Sequence, residues 1–216
     1  PFVSAISFLC FTVSLTKLRL PNTMKKYRFY WLAGLTLFGF PLLGWIICLI
    51  VGDNFLNQFQ SQYSVLFQSF VGLVYGVLSG VLCWTFITSR IMGESRSKYL
   101  ELLRELNLTP FKIVVISIAA GVGEETLFRG VIQDYIGIPL TSILFIAIHG
   151  YYSFRDIRLF LYGLLMTILI MGIGVLMERL GVIAPMIAHT IIDLILLFMM
   201  YRSVEEPVVV YSDEEE

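Results

Sequence analysis

Six residues could carry chemistry in this chain: Glu124, Glu125, Arg129, His149, His189 and Asp193. All lie within long apolar stretches of a sequence that is 57% hydrophobic and 14% charged. An ionisable side chain at the centre of a membrane helix costs on the order of 2.5–3.5 kcal/mol on insertion scales. Charge kept at that cost is read as functional, so these residues organise the sequence.

Helical geometry separates the two glutamates of Gly121-Val-Gly-Glu-Glu-Thr-Leu-Phe-Arg-Gly130. Glu125 and Arg129 are four apart, share a face and can form an ion pair along the helix. Glu124 points about 100° away around the axis and lacks that built-in partner. The pair suits a structural role, and Glu124 is the better candidate for chemistry. Taken alone, the decapeptide fits a polar bundle interior as well as it fits a reactive site.

Histidine sharpens the choice, because the chain has only two. His149 follows Phe145 by four residues, and His189 precedes Asp193 by four, so each pair shares a helix face. Both fall in apolar segments near the glutamate segment. A carboxylate in apolar surroundings is poised to act as a general base toward water. Imidazoles facing the same space can donate hydrogen bonds to a developing oxyanion. Alternatively Glu124, His149 and His189 could ligate a divalent metal such as zinc, with water in the fourth position. Either arrangement activates water for amide hydrolysis. The HExxH helix of soluble zinc proteases is absent.

These residues have to be positioned by membrane helices. The mean hydropathy is +0.83, and 216 residues suffice for one helical bundle in lipid. A net charge of −1 gives no sign of nucleic-acid binding. Cys10, Cys48 and Cys83 form neither a CxxC pair nor a disulfide framework. The expected fold is all-α and polytopic. Six spans are predicted, at about Trp31–Val51, Ser64–Thr88, Phe111–Ile132, Leu140–Tyr152, Leu159–Met177 and Val182–Tyr201. Pro41 should kink the first, and Gly72, Gly76 and Gly80 should let another helix approach the second closely. A turn around Gly137-Ile138-Pro139 should divide the third span from the fourth.

The rest divides by composition. Residues 1–23 read as a partial span or an upstream extension before Met24-Lys25-Lys26, which looks like a native cytoplasmic start. Residues 24–110 comprise the first helices and an amphipathic surface helix at Arg90–Leu108. Residues 111–201 form the core that holds the chemistry, and 202–216 an acidic, disordered tail. Loops at 17–28, 90–112 and 155–158 concentrate Lys and Arg, whereas 52–63 and 134–139 have none. The basic loops are therefore expected on the cytoplasmic side, with both ends inside.

Taken together, Glu124-Glu125-x-x-x-Arg129, Phe145-x-x-x-His149 and His189-x-x-x-Asp193 resemble the three motifs of the CAAX prenyl protease and bacteriocin-processing (CPBP, or Abi) intramembrane protease family. The resemblance covers about residues 111–201. It implies an endopeptidase acting near the cytoplasmic face, with Glu124 activating water. His149 and His189 would stabilise the oxyanion or hold a metal, while Glu125, Arg129, Phe145 and Asp193 would support them. Asp193 stands where many members carry Asn, and an ionised carboxylate cannot donate a hydrogen bond. That departure favours a charged His189 or a metal. The implied partners are the lipid bilayer and a peptide or membrane-associated protein substrate. The short chain and the Met-Lys-Lys start point to a bacterial plasma membrane. The competing expectation is a non-catalytic peptide-binding or bacteriocin self-immunity protein. A proton-coupled transporter is disfavoured because no internal repeat is seen.

Overall fold

The computed structural model describes residues 29–93 and 108–205, and among them the regular structure is helical throughout. The expectations for 1–23, for most of the amphipathic segment and for the acidic tail lie outside the described residues. Five helical stretches are long and apolar enough to cross a membrane: Phe29–Val51, Val65–Thr88, Pro110–Ile148, Ile157–Leu180 and Ile183–Ser203. The protein is an integral, multi-pass helical bundle.

We label the helices α1 (Phe29–Val51), α2 (Val65–Thr88), α3 (Pro110–Leu127), α4 (Gln133–Ile148), α5 (Ile157–Leu180) and α6 (Ile183–Glu205). Their ends follow local rules. Ser64, Thr109 and Asp156 accept hydrogen bonds from the first-turn amides of α2, α3 and α5. Pro110 sits at the first position of α3, where a missing amide hydrogen costs nothing. In α1, a π turn at Leu35–Gly39 ends two residues before Pro41. The widened turn takes up the clash a proline ring makes with the carbonyl four residues earlier.

The span count differs from expectation. The third and fourth predicted spans are one continuous stretch, Pro110–Ile148, broken only at Gly137 (φ 73°, ψ 170°). After that break the helical arm from 138 to 148 rises only about 16 Å, half of a hydrocarbon core of about 30 Å. No full-length helix forms there because the chain leaves helical geometry at His149–Gly150. The non-helical stretch that follows completes the return.

Packing fixes the direction of each helix. A Cβ on Gly72 would lie 2.5 Å from the Ala184 carbonyl oxygen, and one on Gly76 would lie 2.7 Å from that of Ala188. Gly80 faces Ile195 in the same order, so α2 and α6 run parallel with their backbones nearly touching. Ser61 donates a hydrogen bond to the Leu180 carbonyl at 2.6 Å, joining the 52–63 loop to the α5–α6 turn. These two connections share one end of the bundle, the loop end. Arg90, Lys112, Arg155, Arg158 and Arg202 fall at the opposite, basic end.

Candidate active site

The Gly121–Gly130 sequence works as a spacer as well as a carrier of charge. A Cβ on Gly121 would lie 2.7 Å from the Met186 carbonyl oxygen of α6. One on Gly123 would lie 2.8 Å from the Thr36 carbonyl carbon of α1. The two glycines thus admit α6 and α1 to opposite sides of α3 immediately before Glu124. Behind them, a π turn at Phe128–Ile132 carries Arg129. Such bulges occur often at functional sites, where they re-aim side chains.

Glu125 is fully buried and holds two partners. Its Oε2 accepts from Arg129 Nε at 3.1 Å, and its Oε1 lies 2.7 Å from His189 Nδ1 on α6. An ionised carboxylate only accepts, so His189 Nδ1 carries the hydrogen and Nε2 is turned toward the interior. His149, at the end of α4, makes the analogous bond, with Nδ1 donating to the Phe145 carbonyl. Its Nε2 is therefore the nitrogen left to face the site.

Both Nε2 atoms converge on one oxygen. Glu124 Oε2 is 3.8 Å from His149 Nε2 and 4.0 Å from His189 Nε2. These separations exceed a direct hydrogen bond and match groups that share a bridging molecule. Asp193 Oδ2 lies 3.6 Å from His189 Nε2. Glu124 Oε2, His189 Nε2 and both Asp193 oxygens are buried without a protein hydrogen-bond partner. Phe145 packs the wall, with its ring centroid 4.3 Å from that of His149 and 5.8 Å from that of His189. The Arg129 guanidinium lies 5.4 Å from the same ring, a cation–π contact that helps to hold a buried charge.

All seven residues expected from the sequence thus meet in one place. The main surprise is the partner of His189. The resemblance gives Asp193, one turn away, a supporting role beside it; the residue hydrogen-bonded to His189 Nδ1 is Glu125, on another helix. A contact between residues 64 positions apart has no local signature. The π turn, and a buried Gln133 whose amide donates to the Gly174 carbonyl at 3.0 Å, also lack a sequence signal.

The donor chemistry of Glu124, His149 and His189 suits zinc, and anchored Nδ1 atoms are common in zinc ligands. Yet among the described residues no group of three or more His, Cys, Asp or Glu side chains is arranged to hold a metal ion. The donors as placed do not close around a cation.

Residues 106–195, which contain every one of these side chains, match the model of a family described as type II CAAX prenyl endopeptidase Rce1-like. Over these residues the chain is similar to the Rce1-like family. It is also similar to the uncharacterized protein YpbD of Bacillus subtilis (strain 168), with 35% identity over 82 residues. That similarity covers 38% of this chain and 41% of YpbD, so the chain spans less than half the length of this relative. No solved structure matches the chain. The Rce1-like segment begins just before α3 and ends inside α6, so α1 and α2 act as its scaffold.

Proposed function

We propose that the Rce1-like core is an intramembrane endopeptidase in which Glu124 activates water. The observation that carries this reading is the convergence of His149 Nε2 and His189 Nε2 on Glu124 Oε2, at 3.8 and 4.0 Å. Water held among these three groups can pass a proton to the Glu124 carboxylate as its oxygen attacks the scissile carbonyl carbon. The carbonyl oxygen then gains negative charge and needs a donor.

Each imidazole has its Nδ1 hydrogen committed elsewhere, so Nε2 can donate only from an imidazolium. His189 in that form would present Nε2–H to the oxyanion, with Glu125 and Asp193 as counter-charges at 2.7 and 3.6 Å. When the C–N bond breaks, the proton taken up by Glu124 is available for the departing amine. The balance is one water and one amide in, one acid and one amine out.

Position refines the reading. Glu124 lies about 21 Å along α3 from Pro110 at the basic end. That is past the middle of a core of about 30 Å and so deeper than the near-cytoplasmic position that the family resemblance implies. We place that end in the cytoplasm, following its Lys and Arg bias, in a bacterial plasma membrane. The substrate class is a membrane-associated peptide or protein segment, with prenylated C-terminal peptides the class suggested by the family description.

The test is cleavage of a fluorogenic peptide library, lipidated members included, by the full chain in liposomes, with and without a strong zinc chelator. Cleavage lost in Glu124→Gln supports the reading. Chelator-resistant cleavage supports the side-chain mechanism, and chelator-sensitive cleavage would replace it with a metal one. Wild-type and variant signals that are equal at every peptide would count against catalysis.

A further inference from the structure

Hydrolysis at Glu124 consumes water deep in a bundle that faces lipid, so water must have a way in. At the loop end a cavity of about 270 Å³ opens between the Phe55–Phe59 turn and the end of α5. Gln58, Gln60, Ser61, Asp134, Glu178 and Arg179 are among its lining residues. A polar lining and this volume suit several waters, each of which needs roughly 10–15 Å³ and two to four polar partners.

The inner wall of the cavity leads toward the site. Gln58 is 7% exposed, and its amide lies on Gly130, where a Cβ would come within 2.5 Å of the amide carbon. Its Nε2 donates to the Phe55 carbonyl at 3.0 Å, but its Oε1 is buried without a hydrogen-bond partner. Gly130 directly follows Arg129, whose two terminal nitrogens are likewise buried without a partner. Gln133, next to the cavity residue Asp134, also leaves Oε1 buried and unsatisfied. Orphaned groups of this kind are costly to leave dry. Each is a place where a bound water would satisfy a buried polar atom.

We infer that Gln58, Gln133 and Arg129 form a water-entry route from the loop end to the hydrolytic site. Its purpose rests on the peptidase reading, although its presence does not. Gln58 is the constriction, because it lines the cavity and packs its amide directly on Gly130.

Hydroxyl-radical footprinting of the full chain in nanodiscs tests this directly, since the radicals form from local water. Phe128, beside Arg129 and only 5% exposed, should be oxidised. Met166, fully buried in the core, should stay unmodified despite its greater intrinsic reactivity. Gln58→Leu removes the polar amide, and Gln60→Trp fills the exposed rim; each should lower Phe128 oxidation severalfold. If Gln58→Leu does not fold, Gln60→Trp decides alone. An unlabelled Phe128 in the wild type, or undiminished labelling in the variants, would overturn the route. A wild type that shows the footprint but cleaves no peptide would instead sink the peptidase reading and leave the route standing.

Discussion

Glu125 Oε1 lies 2.7 Å from His189 Nδ1, while Oε2 of the same carboxylate holds Arg129 at 3.1 Å. One buried carboxylate thereby fixes both the charge balance of the site and the tautomer of an imidazole on another helix. Glu125→Gln should destabilise the fold by about 3–5 kcal/mol, the usual result of leaving a buried charge without its partner. Thermal unfolding in detergent measures this, and a midpoint equal to wild type would contradict the assignment.

Asp193 faces His189 Nε2 at 3.6 Å rather than orienting the ring. Asp193→Asn should lower kcat/KM severalfold, because the amide keeps shape and polarity but removes one of the two counter-charges of His189. Asp193→Leu should lose about 10-fold or more in kcat/KM, the scale expected when a polar group acts in the transition state. Equal losses in the two variants would show that the charge of Asp193, and not its polarity, is what matters.

Gly137 sets the angle at which α4 returns and so the position of His149. Its backbone (φ 73°, ψ 170°) lies in a region that is essentially restricted to glycine. Gly137→Ala should cost about 1–3 kcal/mol through backbone strain and lower peptide cleavage by displacing His149. Unfolding and cleavage assays on the same preparation check both effects, and a variant unchanged in both would refute this role for the break.

Gly121 and Gly76 admit carbonyls of α6 at separations too short for any side chain. Gly121→Val should separate α3 from α6 and break the Glu125–His189 contact, abolishing cleavage. Gly76→Val should loosen α2 from α6 and lower stability first, because it lies outside the reactive cluster. Unfolding midpoints set beside cleavage rates distinguish these two outcomes.

Much of this arrangement was legible in the sequence because it is local. Spacing by four placed Glu125 with Arg129, Phe145 with His149 and His189 with Asp193, and the structure keeps each pair on one face. The Gly72, Gly76 and Gly80 stripe announced a close helix approach, though not that its partner would be α6. The relations that escaped are non-local or depend on small departures from regular geometry. Nothing near His189 points to Glu125, nothing near Gly130 points to Gln58, and the π turn at Phe128–Ile132 has no proline beside it to mark it. The fourth span was overcounted because apolar composition continues through 140–152 while helical geometry stops at Ile148.

The central claim is that Glu124 acts on water and not as a packing residue. The most direct measurement is peptide cleavage by wild type and by Glu124→Gln in liposomes, with unfolding midpoints recorded on the same samples. Glu124 acting as general base predicts a loss of about 10²–10⁴-fold, the usual contribution of such a group, with the fold intact. Cleavage by a folded Glu124→Gln variant at the wild-type rate would contradict it.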